Sequence, residues 1–174
     1  MKAQNEADTI SNNKCDSLVS LKWVLDSSFR SLRTEKFKSI KVFFPSYKEY
    51  KKFTDTSAAG KQSECTQFIM YNTFWNTLRI QHTKLMKKCK KSGIKLDKTT
   101  LDSVYFNQGF DKGLDFAYLH WVVKYNKKKK YLIKAVSLKI NGSWYILDEL
   151  KFIGLIKKEK KKKAPKRPLR TYDL

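Results

Sequence analysis

At 174 residues, 41% hydrophobic and 14% aromatic, the chain is long enough to bury one core and too apolar to be disordered throughout. Its net charge of +22 favours anionic partners: nucleic acid, acidic membrane surfaces, sulfated glycans or acidic proteins. No run approaches the roughly eighteen apolar residues of a spanning helix, and the three cysteines (Cys15, Cys65, Cys89) lack any CxxC or Cys/His cluster, which argues against a metal ribbon or a disulfide scaffold.

Residues 1–16 are polar and read as a flexible N-terminus. The opening "MKAQNEADT" resembles the cleavage end of a signal peptide, so if Met1 replaces a removed leader the protein is expected to be extracytoplasmic, periplasmic or secreted. If Met1 is the true start, the expectation is cytoplasmic. From Ser17 a helical stripe begins: Leu18, Leu21, Leu25, Phe29 and Leu32 recur at steps of three and four. Pro45 breaks the following segment, and Ser46 with Glu49 has the S-x-x-E spacing of a capping box opening a second helix.

A third helix has a longer seam of Phe68, Tyr71, Trp75, Leu78, His82, Leu85 and Cys89, which Gly93 is placed to cap. Lys84, Lys87, Lys88 and Lys91 fall off that seam and read as a solvated face. After Gly93 the period changes to two. Four strands are expected over Leu101–Asn107, Asp115–Tyr125, Tyr131–Ile140 and Ser143–Phe152, with 107–115 as the first turn. Asn141-Gly142 is the signal of a two-residue type I′ turn, and short connections make the strands antiparallel neighbours. The second strand is partly apolar on both faces.

Helices first and a meander afterwards describe an α+β domain over residues 17–154, with N-terminal helices packed on a curved four-stranded antiparallel sheet. The stretches "FRSLRTEKFKSIKVFFPSYKEYKKF" and "YLIKAVSLKINGSWYILDELKFI" resemble the first helices and the closing hairpin of the cystatin-like and NTF2-like superfamily, including its exported bacterial members. That superfamily hosts isomerases, dehydratases, transport adaptors and ligand-binding proteins, so the resemblance implies a fold and no particular reaction.

Three function classes follow. The leading one is a non-enzymatic binding or interaction module, with an apolar cavity between the long helix and the sheet. Trp75, Tyr118, His120, Trp121, Trp144 and Asp148 are its candidate ligand-binding residues, although most aromatic residues in such a chain are core. The second is a Lys-rich anion binder. Its candidates are Lys127, Lys128, Lys129 and Lys130 at a hairpin tip, with Lys160, Lys161, Lys162, Lys163, Lys166 and Arg167 in a tail over 155–174. That tail carries nine bases against two acids and reads as disordered. Lys far outnumbers Arg, which argues against sequence-specific reading of nucleic acid.

The third class is a small enzyme using His120 as a general acid–base with Asp148. Asp148 shares strand parity with Trp144, Ile146, Leu150 and Phe152, so it is either a pocket carboxylate or a residue at a bulge. No phosphate-binding loop, dinucleotide fingerprint, zinc-protease or serine-hydrolase motif is present, and no cofactor or metal is expected. The expected partner is a small molecule or a protein, or nucleic acid or an anionic surface through the tail, and a dimer is left open.

Overall fold

A computed structural model of the chain describes residues 21–56, 62–111, 113–126 and 129–156. Cys15, Leu18, Lys127, Lys128 and the candidates of the basic tail lie outside the described residues.

The first helix, α1, runs over 21–33. Its expected stripe is its core face: Leu21, Leu25, Phe29 and Leu32 are all buried. The Trp121 indole fixes that face to the sheet by donating to the Leu25 carbonyl oxygen at 2.9 Å. A short helix α2 (Phe37–Ile40) and a 3-10 turn (Lys41–Phe43) follow, and Pro45 ends them. The capping box then opens α3 (Tyr47–Thr56). The Glu49 N–H donates to Ser46 Oγ at 3.3 Å, and the Ser46 N–H donates back to Glu49 Oε2 at 2.8 Å.

The long helix α4 (Glu64–Lys91) starts at Ser63, whose side chain accepts from the Thr66 N–H. Leu78, His82, Leu85 and Cys89 are buried as the seam predicts, while Tyr71 and Trp75 are half-buried and Phe68 is 53% exposed. Of that seam, only the part from Leu78 onward therefore lies deep in the core. Gly93 has φ +68, and the Gly93 and Ile94 amides donate to the Lys90 and Cys89 carbonyls. This is a Schellman stop, which a residue bearing a Cβ adopts only with strain.

Four strands form one open sheet in the order β1-β2-β3-β4: β1 (Thr100–Asp111), β2 (Leu114–Tyr125), β3 (Lys129–Ile140) and β4 (Ser143–Leu155). All neighbours are antiparallel. The α+β architecture read from the sequence is the one observed. Strand β1 runs four residues past its expected end, because the ladder continues through Gly109 opposite Phe116. A Cβ at Gly109 would stand 2.8 and 2.9 Å from atoms of the Phe116 ring, so glycine leaves room for the ring to lie over the neighbouring strand. Asn141 and Gly142 take φ 49 and φ 84, as their turn requires.

One face of the sheet carries Ala117, Leu119, Trp121 and Val123 of β2, Ile133 and Ala135 of β3, and Trp144, Ile146, Leu150 and Phe152 of β4, all buried in the core. The opposite face carries Tyr105, Tyr118, His120 and Val122. There the Tyr105 and His120 rings stack at 4.4 Å and 9°. Cys65 and Cys89 are free thiols, and burial pushes the Cys89 thiol up to about 12. Asp102 binds Lys124, and Lys130 at 2.5 Å, and these two ammoniums hold its carboxyl below the usual range.

Candidate functional site

Strand β4 is irregular where it passes α4. Its register against β3 shifts between Val136 and Ser137, again between Lys134 and Val136, and once more between Leu132 and Ile133 opposite Phe152 and Gly154, and Glu149 takes φ 56. These bulges answer the question raised by Asp148. Its carboxylate accepts from the Gln81 side-chain amide of α4, and from the Glu149 N–H at 2.6 Å. Gln81 Oε1 accepts in turn from the Leu150 N–H at 2.9 Å. One glutamine thus satisfies a strand carboxylate and a bulged strand amide together. Asp148 is a helix-to-strand tie.

Beyond that tie, α4 and the end of β4 enclose a groove of about 410 Å³. Leu85, Leu150 and Phe152 form its floor. Lys84, Lys87, Lys88 and Lys91 form one wall, and Lys151 stands on the other. The helix makes that wall by spacing alone, because steps of three, four and seven bring side chains to one face. Lys151 is paired with Glu149 at 3.0 Å, while Lys84, Lys87, Lys88 and Lys91 make no ion pair among the described residues. Like charges held beside a low-dielectric floor raise the local potential and favour an anion.

A second hollow, of about 300 Å³, lies at the sheet. Asn107, Tyr118, His120, Lys134 and Glu149 contribute to it. His120 is only 7% exposed, and its Nδ1 has no hydrogen-bond partner among the described residues. Burial first, and then the Lys134 charge, lower its pKa; a backbone hydrogen bond at Tyr118 opposes them. Asp148, the proposed partner of His120, is not part of this lining and is held by Gln81 instead. A third hollow, of about 600 Å³, joins the ends of α1 and α4. Two of its charged side chains are engaged with backbone: Arg33 donates to the Asp97 carbonyl at 2.7 Å, and Glu35 accepts from the Leu96 N–H at 3.2 Å.

The candidate ligand residues fall in different places. Trp121 and Trp144 are buried core residues, whereas Tyr118 is 46% exposed on the opposite sheet face beside His120. Trp75 stands apart, in ring contact with Phe37 at 5.1 Å and Phe44 at 5.3 Å, with the Lys41 ammonium 5.2 Å from its centroid. Of the tip lysines, Lys129 and Lys130 belong to β3. The groove residues Gln81, Leu85, Leu150 and Phe152 were not singled out as site residues in the sequence. The spacing of Lys84, Lys87, Lys88 and Lys91 was visible there, but a helical lysine face points to a ligand only when a wall stands opposite. No helix is long and apolar enough to cross a membrane, and no group of His, Cys, Asp and Glu suited to a metal ion occurs, among the described residues. No known protein family, curated protein or solved structure matches the chain.

Proposed function

We propose that the protein is a non-enzymatic binding module that holds an anionic ligand with an apolar part in the groove between α4 and β4. The observation that carries this reading is the pairing of a Leu85–Leu150–Phe152 floor with four lysines that lack acidic partners among the described residues. It joins the apolar cavity between long helix and sheet to the excess of positive charge. The order of helices and meander is compatible with the cystatin-like and NTF2-like superfamily, in which ligand-binding members are known, and the reading does not depend on membership.

The test uses the dye 8-anilinonaphthalene-1-sulfonate, which couples an apolar body to one sulfonate. Its fluorescence should report saturable binding that weakens with salt. A Lys87→Gln/Lys88→Gln variant should bind it about tenfold more weakly, as expected when two partly screened contacts of ~0.7 kcal/mol each are lost. The uncharged analogue N-phenyl-1-naphthylamine should bind both forms alike. Equal dye affinity in the native and doubly substituted proteins would remove the groove as the site.

A further inference from the structure

The backbone bordering the groove narrows the class of ligand. Strand β4 is the last in the sheet order, so one side of its main chain has no strand partner among the described residues. The Leu150 N–H shows which way that side faces, since it donates to Gln81 of α4. Strand alternation turns the main chain of Phe152, two residues on, toward the same side. At that point the boundary is the groove, with Phe152 in its floor and the α4 lysines opposite. Gln81 thus occupies one edge position, and the basic groove borders the next one, at Phe152, before the register shifts again toward Gly154.

We infer that the ligand is an acidic peptide segment in extended conformation, which adds beside β4 and sets its carboxylates against Lys84, Lys87, Lys88 and Lys91. This deepens the anion-binding reading above and rests on it. An added strand supplies main-chain partners to an exposed edge and places alternate side chains on one face. Same-face side chains in a strand repeat every ~6.6–6.8 Å, and lysines one helical turn apart are spaced by ~5.4 Å. Acidic residues at alternate positions of a short run therefore fall on the one face that α4 covers, against the lysine wall.

Nucleic acid fits the groove less well. Its lining holds no arginine, whose planar fork is the side chain best suited to phosphates and base edges. The chain's own basic tail, with nine bases against two acids over 155–174, repeats the charge of the groove and so does not complement it.

The test titrates the full chain with a fluorescein-labelled decapeptide of alternating Glu and Val, read by anisotropy. Its counterparts are the same peptide N-methylated at alternate amides, a decamer of thymidylate, and phosphatidylglycerol vesicles. The alternating peptide should bind and should shift amide resonances of residues 81–91 and 150–156. N-methylation should weaken it at least about tenfold, the loss of roughly one or two main-chain hydrogen bonds. Lys87→Glu/Lys88→Glu, at exposed helix positions, should abolish binding while leaving the unfolding temperature within a few degrees.

Peptide binding that survives N-methylation unchanged overturns strand addition. Tighter binding of the oligonucleotide or the vesicles through the same lysines overturns the peptide. If the sulfonate dye binds in a lysine-dependent way but the peptide does not, this inference fails while the anion groove stands. If neither binds, both fail.

Discussion

The side-chain amide of Gln81 donates to the Asp148 carboxylate, and its carbonyl accepts from the Leu150 N–H two residues further along β4. A residue from the middle of α4 thus closes the hydrogen bonding of a bulged edge strand. The same tie sets the distance between helix and strand where the groove begins. Gln81→Leu should cost about 1–3 kcal/mol, because the Leu150 N–H loses its acceptor and Asp148 keeps only the Glu149 N–H in a partly buried setting. Urea denaturation measures this, and a loss within the error of the native value would show that water replaces the amide without penalty.

Glu49 links three elements. Its carboxylate closes the capping box of α3 with Ser46 and accepts from the Tyr145 hydroxyl of β4 at 2.7 Å, while its carbonyl accepts from Asn141 in the hairpin turn. The hydrogen bonds from the Ser46 backbone, the Ser46 side chain and Tyr145, in that order, hold its pKa below 4.5. A carboxyl lowered in the folded state adds stability that is fully present above the unfolded pKa and is lost as pH falls through the folded one. Glu49→Gln should therefore cost about 1 kcal/mol at neutral pH. It should also lose less stability than the native protein as pH falls below 4.5. Parallel acid-unfolding curves for the two proteins would contradict this.

Gly109 and Phe116 form a cross-strand pair in which the ring occupies the place of a side chain. Gly109→Ala should destabilise the fold by about 1–3 kcal/mol by forcing the ring aside. In a Phe116→Ala background the same change should be nearly neutral. A double-mutant cycle reads the coupling directly. Additive effects of the two changes would mean that the ring and the glycine do not constrain each other.

His82 is buried on the core face of α4 against the Phe37 ring at 5.5 Å, and its Nε2 has no partner among the described residues. Burial lowers its pKa below 6.5, and the Glu35 charge opposes that only in part. The unfolded chain therefore binds this proton at a pH where the folded one does not. Stability should fall as pH drops from 6.5 toward the lowered folded value. His82→Leu should make the fall shallower, with the remainder due to His120, whose pKa is also lowered. An unchanged slope in thermal unfolding between pH 7 and pH 5 would assign the effect elsewhere.

The fold was legible wherever local chemistry agrees with the global arrangement. The Ser46–Glu49 box, the Gly93 stop and the Asn141-Gly142 turn are each decided within a few residues, because backbone geometry and short-range hydrogen bonds leave few alternatives. The α1 stripe and the second half of the α4 seam follow from periodicity, since a buried face must repeat with its element. The first β hairpin extends past the turn that residues 107–115 suggest, because Gly109 resembles a turn residue but leaves room for the Phe116 ring across the ladder.

The site was less legible, and Asp148 shows why. A regular strand would turn its side chain with Trp144 and Ile146, but bulges change the direction of β4, and no local signal announces them. The bonds they leave open are met by Gln81, 67 residues earlier in the chain. The lysine spacing of α4 was likewise plain in one dimension, but a helical face becomes the wall of a groove only when another element stands opposite. The sequence by itself determined the elements, their order and the excess of positive charge, because these follow from composition and periods of two and 3.6. The tertiary structure alone decided that Lys84, Lys87, Lys88 and Lys91 face Lys151 across a floor of Leu85, Leu150 and Phe152, because that meeting depends on how α4 packs against an irregular edge strand.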